Sequence, residues 1–361
     1  MTAPTAPAID MEKVGSLAEL AFGFLGGAVN SGMIYLGDRL GLYRTMAGAG
    51  QLTSDELAGR TGLHERWLRE WLRNQGGIGI LEYRGDGRFE LSPEAALVFA
   101  DESTPASLIG GFAGFPEQMG AVGLLPEVFR TGLGFTYDAG GDGVAEGVER
   151  MFGPWYRSAL VPEALPALPG VVEKLTAGAK ACDVGCGAAV ADVEMAKAFP
   201  NSEFHGYDNS LHALARAATN IAQAGVANVV MHNPDDEPLP ATPTFDVAFS
   251  FDCLHDMARP DLVAAAVRKA MKPDGLWFIV DINCADTYEG NLENPLGGMF
   301  YGMSILACMS SSASTPDGLA LGTVGLPESK MRELVLKAGF GSFERVEGLE
   351  HPFNAYYIAR P

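Results

Sequence analysis

The sequence predicts an α/β protein, with a mostly parallel sheet domain preceded by a smaller, mainly helical one. Three observations carry this. From about Ala179 onward, short apolar runs alternate with helical stretches, the rhythm of βα units in a parallel sheet. Between residues 43 and 100, two helical patterns are followed by two β-patterned runs around a glycine turn. The 361 residues are 47% hydrophobic and 19% charged, a globular composition at a length suited to two domains.

Residues 1–15 are expected to form a disordered tail. The opening MTAPTAPA has no charged segment leading into an apolar one, so no secretory signal is expected. Residues 16–100 are the predicted first domain. From Ser16 to about Leu42 the pattern is helical and contains Gly23, Gly26, Gly27 and Gly32. Small residues let helices approach closely, so this is either an interface helix or an ordinary core helix. Its most apolar part, residues 20–29, is shorter than the ~20 residues a membrane span needs and is expected to be buried. Thr53 or Ser54 caps the next helix, and Gly62 ends it. Residues 64–74 form a further helix with Trp67, Leu68, Trp71 and Leu72 on one face. Residues 78–83 and 88–91 are the arms of a hairpin turned at Gly85-Asp86-Gly87. Helix, turn, helix, hairpin is the layout of a winged helix.

Residues 101–175 are rich in Gly, Pro and aromatic residues and show no clear strand. They are expected to be a helical connector and a candidate pocket wall. Residues 176–361 are the predicted sheet domain. Its strands are expected at 181–184, 203–207, 229–232, 245–251 and 277–282, with a final pair near 343–346 and 354–359. Helices are expected at 191–198, 211–224, 262–270 and 328–338. Ligands of such sheets bind at the carboxyl ends of the strands.

Charge narrows the function. There are 25 Lys+Arg against 45 Asp+Glu, a formal net of -20. Non-specific nucleic-acid binders and binders of anionic membranes draw on clustered cations, and this balance argues against both. The winged-helix segment 61–90 carries five arginines (66, 69, 73, 84, 88) and five acids (65, 70, 82, 86, 90). A DNA-reading helix needs a basic footprint, so packing or dimerisation is the expected use of this module. The five cysteines (182, 186, 253, 284, 308) are odd in number and contain no Cys-x-x-Cys pair, which disfavours a disulfide framework or a thiolate zinc site. The expected location is the cytoplasm.

The first predicted strand ends in Cys182-Asp183-Val184-Gly185-Cys186-Gly187-Ala188-Ala189-Val190. Glycines there let the backbone approach a ligand closely. A dinucleotide fingerprint needs a small residue where Val190 stands and has no use for Asp183, so an NAD-linked oxidoreductase is disfavoured. The segment D-V-G-C-G, followed by a second strand ending in an acid, resembles the class I S-adenosylmethionine (SAM)-dependent methyltransferases. The match is at Asp183, Gly185 and Gly187, with Ala189 where the family has a third glycine. The resemblance covers residues 179–361 and implies a Rossmann-like domain, a seven-stranded sheet with an antiparallel last strand. It implies SAM as cofactor and S-adenosylhomocysteine as product. Asp208, with Asn209 beside it, would hold the ribose hydroxyls. Asp235, or failing it Asp236, would meet the adenine amino group. Residues 272–275 (K-P-D-G) resemble the turn before the fifth strand.

The fourth strand runs into Phe251-Asp252-Cys253-Leu254-His255-Asp256. An imidazole there has an ordinary pKa near ~6.5 and can accept a proton at neutral pH. Leu-His-Asp resembles the winged-helix-bearing small-molecule O-methyltransferases. That resemblance implies His255 as general base for a hydroxyl acceptor, with Phe251 and Asp252 lining the cofactor site. Asp256 is a second catalytic candidate, or a cap for the following helix. Asp281 is placed to orient His255 or the acceptor. Met299, Phe300 and Met303, opposed by Trp155 and Tyr156, are candidate substrate walls, or plain core. No metal is expected. A homodimer is implied, with no nucleic-acid or membrane partner. A SAM-sensing winged-helix regulator that binds DNA is the alternative. The acceptor atom, whether O, N, C or S, stays open.

Overall fold

The computed structural model describes residues 9–349, 351 and 353–361. The chain divides into two compact units, Met1–Asp101 and Glu102–Pro361. Residues 102–175 therefore belong with the second unit.

In the first unit, the Asp10 carboxylate accepts amide hydrogens from Glu12 and Lys13 and opens helix α1 (Met11–Arg39). Residues 11–15 are thus helical, which corrects the expected tail; its residues 1–8 lie outside the described residues. The expectation that residues 20–29 are buried is also corrected: Phe22, Phe24 and Leu25 are 73%, 71% and 65% exposed. By length and composition α1 is able to cross a membrane.

Helix α2 (Ser54–Thr61) begins in a capping box between Thr53 and Glu56 and stops at Gly62, φ +71. Helix α3 (Glu65–Gly77) buries Leu68, Trp71, Leu72 and Gln75. Trp67, expected on that face, is 79% exposed. At about 100° per residue it stands roughly a quarter-turn from the centre of the buried stripe. The hairpin joins β1 (Glu82–Gly85) to β2 (Arg88–Glu90) through Asp86 and Gly87, both at positive φ as a tight two-residue turn requires. Residues 78–81 are not strand; Gly79, at φ +82, breaks the extended path.

Each of the five arginines in segment 61–90 has a carboxylate partner. Arg66 pairs with Glu70 at 2.7 Å, Arg69 with Glu65 at 2.6 Å and Arg73 with Glu70 at 3.5 Å. On the wing, Arg84 pairs with Glu90 at 2.8 Å and Arg88 with Glu56 at 3.0 Å.

The second unit holds β3 (Lys180–Val184), β4 (Glu203–Tyr207), β5 (Val229–His232), β6 (Phe245–Phe251), β7 (Met271–Ile282), β8 (Ser342–Arg345) and β9 (Asn354–Arg360). They form one sheet in the order β5-β4-β3-β6-β7-β9-β8. β3 to β7 pair in parallel, and β9 runs antiparallel to β7 and β8. The winding direction reverses between β3 and β6, so a crevice forms at their carboxyl ends. Residues 272–275, expected as a turn ahead of the fifth strand, lie inside β7. Phe245 pairs with Met271 and Val247 with Leu276, so the extra residues bulge out of the ladder.

Packed with the sheet are α4 (Gly141–Trp155), α5 (Val190–Ala198), α6 (Leu211–Ala224), α7 (Pro260–Ala270) and α8 (Glu328–Lys337). Side chains alternate between two core layers, as strand pleating requires. Phe249, Phe278 and Val280 pack with Met195 and Leu175 in one layer. Ala248, Trp277 and Ile279 pack with Val267, Met331 and Val335 in the other.

Candidate active site

The loop after β3 is built by glycine. Gly185 sits at φ +79, and a Cβ on it would stand 2.6 Å from the Cys253 side chain. Its N–H donates to the Tyr207 carbonyl of the neighbouring strand at 2.8 Å. Gly187, at φ +55, has open space where its side chain would be. Its N–H donates to Asp208 Oδ2 at 2.8 Å. Asp208 Oδ1 accepts from Ser210 N, also at 2.8 Å. The carboxylate that ends β4 is thus fixed by two backbone amides, and each oxygen keeps a lone pair for a ligand hydroxyl. Ala189 stands at φ +57, a left-handed conformation glycine adopts more easily.

Buried acids dominate the surroundings. Asp183 and Asp192 are fully buried beside each other, close enough to share a proton. Burial, then the charge of Asp192, raises the Asp183 carboxyl well above the usual range. Burial pushes Asp192 up to about 7. Asp208 is raised by burial too, against its two amide donors. Asp252 and Asp256 are each pushed by burial to about 7. Among the described residues no Lys or Arg is bonded to any of these five. Such a site suits a ligand carrying positive charge. A donor with a sulfonium and an ammonium matches it, and the open backbone at Gly187 leaves room beside Asp208.

His255 follows β6 and is buried. Its Nδ1 lies 2.5 Å from Asp281 Oδ1, at the end of β7. Asp281 Oδ1 also accepts the Ile282 amide at 2.8 Å. Burial alone would lower the ring's pKa, but the charge of Asp281 and the contact with Cys308 outweigh it and raise it well above its ordinary value. A proton on Nδ1 held by Asp281 leaves Nε2 as the position that takes up or gives up the second proton. Asp252, at φ +53, turns back into this cluster, and its Oδ2 accepts from Asn354 Nδ2 at 2.5 Å. Asp256 does not cap the following helix, which opens at Pro260 with Arg259 in the cap position.

The structure therefore brings together Asp183, Gly185, Gly187, Asp208, Phe251, Asp252, His255 and Asp256. Phe251 is buried, its ring 5.4 Å from Tyr156 and 6.4 Å from Trp155. Trp155 also packs on Tyr356 and His351, and both walls rest on the core. Asn209, Asp235 and Asp236 are exposed. Asn233 organises the turn under the last two, its side chain accepting from Asp235 N. Met299 is 53% exposed, which corrects its expected place in an apolar wall. Phe300 is buried edge-on against Phe353, and Met303 is half-buried.

Several residues escaped the sequence reading. Asp192 reads as a helix-surface acid until the first turn of α5, residues 190–193, proves buried throughout. Asp138, in the connector, accepts from Leu211 N at 2.9 Å and from the Ser210 hydroxyl, which ties the connector to α6. Glu149 of α4 does the same through Arg216, at 2.6 Å, and Asn220. Tyr137 is half-buried near Asp256, Asp208 and Cys308. Asn354 and Cys308 lie too far from His255 in sequence for any local pattern to connect them.

Residues 175–310 match the family described as a methyltransferase domain, and residues 28–100 match the Rv2258c-like winged helix-turn-helix domain. Residues 175–310 are thus a methyltransferase domain, and a winged helix-turn-helix domain precedes it. No curated protein sequence matches this methyltransferase. Among solved structures it is similar to a Nostoc punctiforme protein described as a candidate O-methyltransferase (TM-score 0.71, 17% identity, covering 99% of this chain and 100% of that one). It is also similar to an O-methyltransferase family protein of Burkholderia thailandensis (0.68, 14%, 98% of each). A third is human N-acetylserotonin methyltransferase in complex with SAM (0.68, 15%, 99% of each). At these identities the likeness is one of fold. This chain's own sheet has the seven strands and the antiparallel last strand, β9, that the resemblance implied.

Proposed function

We propose that the methyltransferase acts on a hydroxyl of a small, partly apolar molecule, with His255 as general base. The observation that carries this is the buried 2.5 Å contact between His255 Nδ1 and Asp281 at the carboxyl ends of β6 and β7, beside the Gly187–Asp208 cradle. When bound, the cofactor supplies a methyl group on a positively charged sulfur. Asp208 would hold the ribose, with Asn209 at its rim. Gly185 and Gly187 would admit the rest of the donor to the backbone. Asp235 or Asp236 would meet the adenine, and Phe251 with Asp183 would line the floor. His255 Nε2 accepts the hydroxyl proton, and Asp281 keeps Nδ1–H in place and favours the protonated ring. Trp155, Tyr156, Phe300 and Met303 would bound the acceptor. Placement alone is worth up to ~7–11 kcal/mol of barrier in well-oriented reactions. The test is methyl incorporation from labelled SAM into a panel of hydroxylated aromatics and matched amines and thiols. Labelling of phenols is the expected result; labelling confined to amines or thiols overturns the hydroxyl assignment.

The DNA-binding alternative is not favoured, because all five arginines of segment 61–90 already have carboxylate partners. A homodimer is our reading of the first unit. α1 exposes Leu20, Phe22, Phe24, Leu25 and Val29, and a Cβ on Gly23, Gly26 or Gly27 would meet nothing. An exposed apolar face of that size calls for a cover. Light scattering should give twice the chain mass, and Phe24→Glu with Leu25→Glu should give a folded monomer. A monomeric wild type overturns the dimer.

A further inference from the structure

The cluster behind the proposed base has unused ligating capacity. One donor atom each from Asp252, His255 and Asp281 lies within 4.8 Å of the others. His255 and Asp281 have side chains only 5% and 2% exposed. Asp281 Oδ2 and Asp252 Oδ1 are buried and have no hydrogen-bond partner. Among the described residues no Lys or Arg is bonded to either acid. The remaining oxygens are already oriented, Asp252 Oδ2 by Asn354 Nδ2 and Asp281 Oδ1 by the Ile282 amide. Ligand carboxylates held by outer hydrogen bonds are the usual condition of a working metal site.

The geometry points to a divalent transition-metal site formed by Asp252, His255 Nδ1 and Asp281, whose occupation silences the base. One imidazole nitrogen and two carboxylates suit Zn²⁺ or Co²⁺, whereas Mg²⁺ and Ca²⁺ prefer oxygen alone. Bonds of ~2.0–2.2 Å place neighbouring donors about 3–3.5 Å apart. The His255–Asp281 pair must therefore open slightly and Asp252 draw in. In the neutral ring, binding breaks the Nδ1–H bond, forms a metal–Nδ1 bond and passes that proton to Nε2; from the doubly protonated ring the Nδ1 proton leaves to solvent. The two carboxylates balance the ion's charge. With Nδ1 on the metal, the neutral ring carries its proton on Nε2, which then has no lone pair for an acceptor hydroxyl. The binding claim stands by itself; the silencing rests on His255 being the base.

The test titrates Zn²⁺, and Co²⁺ as a spectroscopic probe, into tag-free full-length protein without cofactor, by calorimetry and visible absorption. The expected result is one ion per chain, Co²⁺ bands of a low-symmetry site, and no response to Mg²⁺. Asp252→Asn, which keeps the shape of the side chain, should weaken binding at least tenfold, and Asp281→Asn likewise; thermal melts confirm that both variants fold. An unchanged affinity in both variants, or no uptake by the wild type, overturns the site. Methyl transfer should fall with Zn²⁺ occupancy and recover with EDTA. Binding without inhibition leaves the metal site standing and overturns the base assignment of His255.

Discussion

Asp281→Asn is expected to lower the rate of methyl transfer about 100-fold or more and to move the acidic limb of the pH–rate profile to lower pH. The two effects have one cause. In the wild type the ring is buried, which disfavours its charged form, yet Asp281 and Cys308 raise its pKa well above ~6.5. A base must be unprotonated to act, so the wild-type rate should climb with pH through that raised value. Asparagine removes the charge but nearly keeps the shape. Burial then dominates, and the ring loses its proton at lower pH. The rate at the plateau falls nonetheless, because a less basic ring accepts the hydroxyl proton less readily and its tautomer is no longer fixed. General-base catalysis is commonly worth ~10²–10⁴ in rate, which bounds the loss. His255→Ala should lose a similar factor and abolish the limb altogether. Cofactor affinity, measured by calorimetry, should change little in either variant. A limb that stays in place in Asp281→Asn separates the pair from the chemistry; full activity in His255→Ala removes the base.

The strands and the cradle were legible because their signals are local. Residues 203–207, 229–232 and 245–251 were expected as strands and are strands with the same limits. The run from Asp183 to Gly187 and the acid at Asp208 lie at the ends of adjacent parallel strands, so sequence order alone places them together. Three kinds of feature were not legible. Exposure of α1 depends on what covers it, and an apolar helix reads the same whether it is covered by its own chain or by something else. The bulge at residues 272–275 depends on register against β6, which composition does not set. The pairing of His255 with Asp281, and of Asp252 with Asn354, joins residues 26 and 102 positions apart through the order of strands. Asp281 drew notice only for its place after a strand, and Asn354 not at all. Burial was the other hidden variable. Asp192 belongs to an ordinary-looking V-A-D-V-E-M helix, and only packing of α5 against the sheet turns it into half of a buried acid pair.

Asp208→Ala should abolish measurable binding of SAM and of its demethylated product while the protein stays folded. In the structure this carboxylate has two tasks. It accepts the Gly187 and Ser210 amides, both at 2.8 Å, and so holds the loop after β3 against the end of β4. In the proposed assignment its remaining lone pairs are the ones offered to the ribose. Hydrogen bonds to a charged acceptor are worth roughly 1.5–3 kcal/mol each. Losing two to the ribose corresponds to a loss of about 100-fold to more than 10,000-fold in affinity, at 1.4 kcal/mol per factor of ten. The two amides left without an acceptor destabilise the loop, while removing a carboxyl whose burial disfavours its charge acts in the opposite direction. The melting temperature should therefore shift much less than the affinity. Asp208→Asn separates the two tasks. Its single carbonyl can still accept one amide, but its NH₂ opposes the other and carries no charge, so it should keep most of the stability and little of the affinity. Calorimetry with SAM and with its product, alongside thermal melts, measures both. An Asp208→Ala protein that binds SAM within threefold of wild type places the ribose elsewhere, and the assignments of Asn209, Gly185 and Gly187 fall with it. If affinity and stability fall in parallel in both variants, Asp208 is a loop anchor and not a ligand-binding residue.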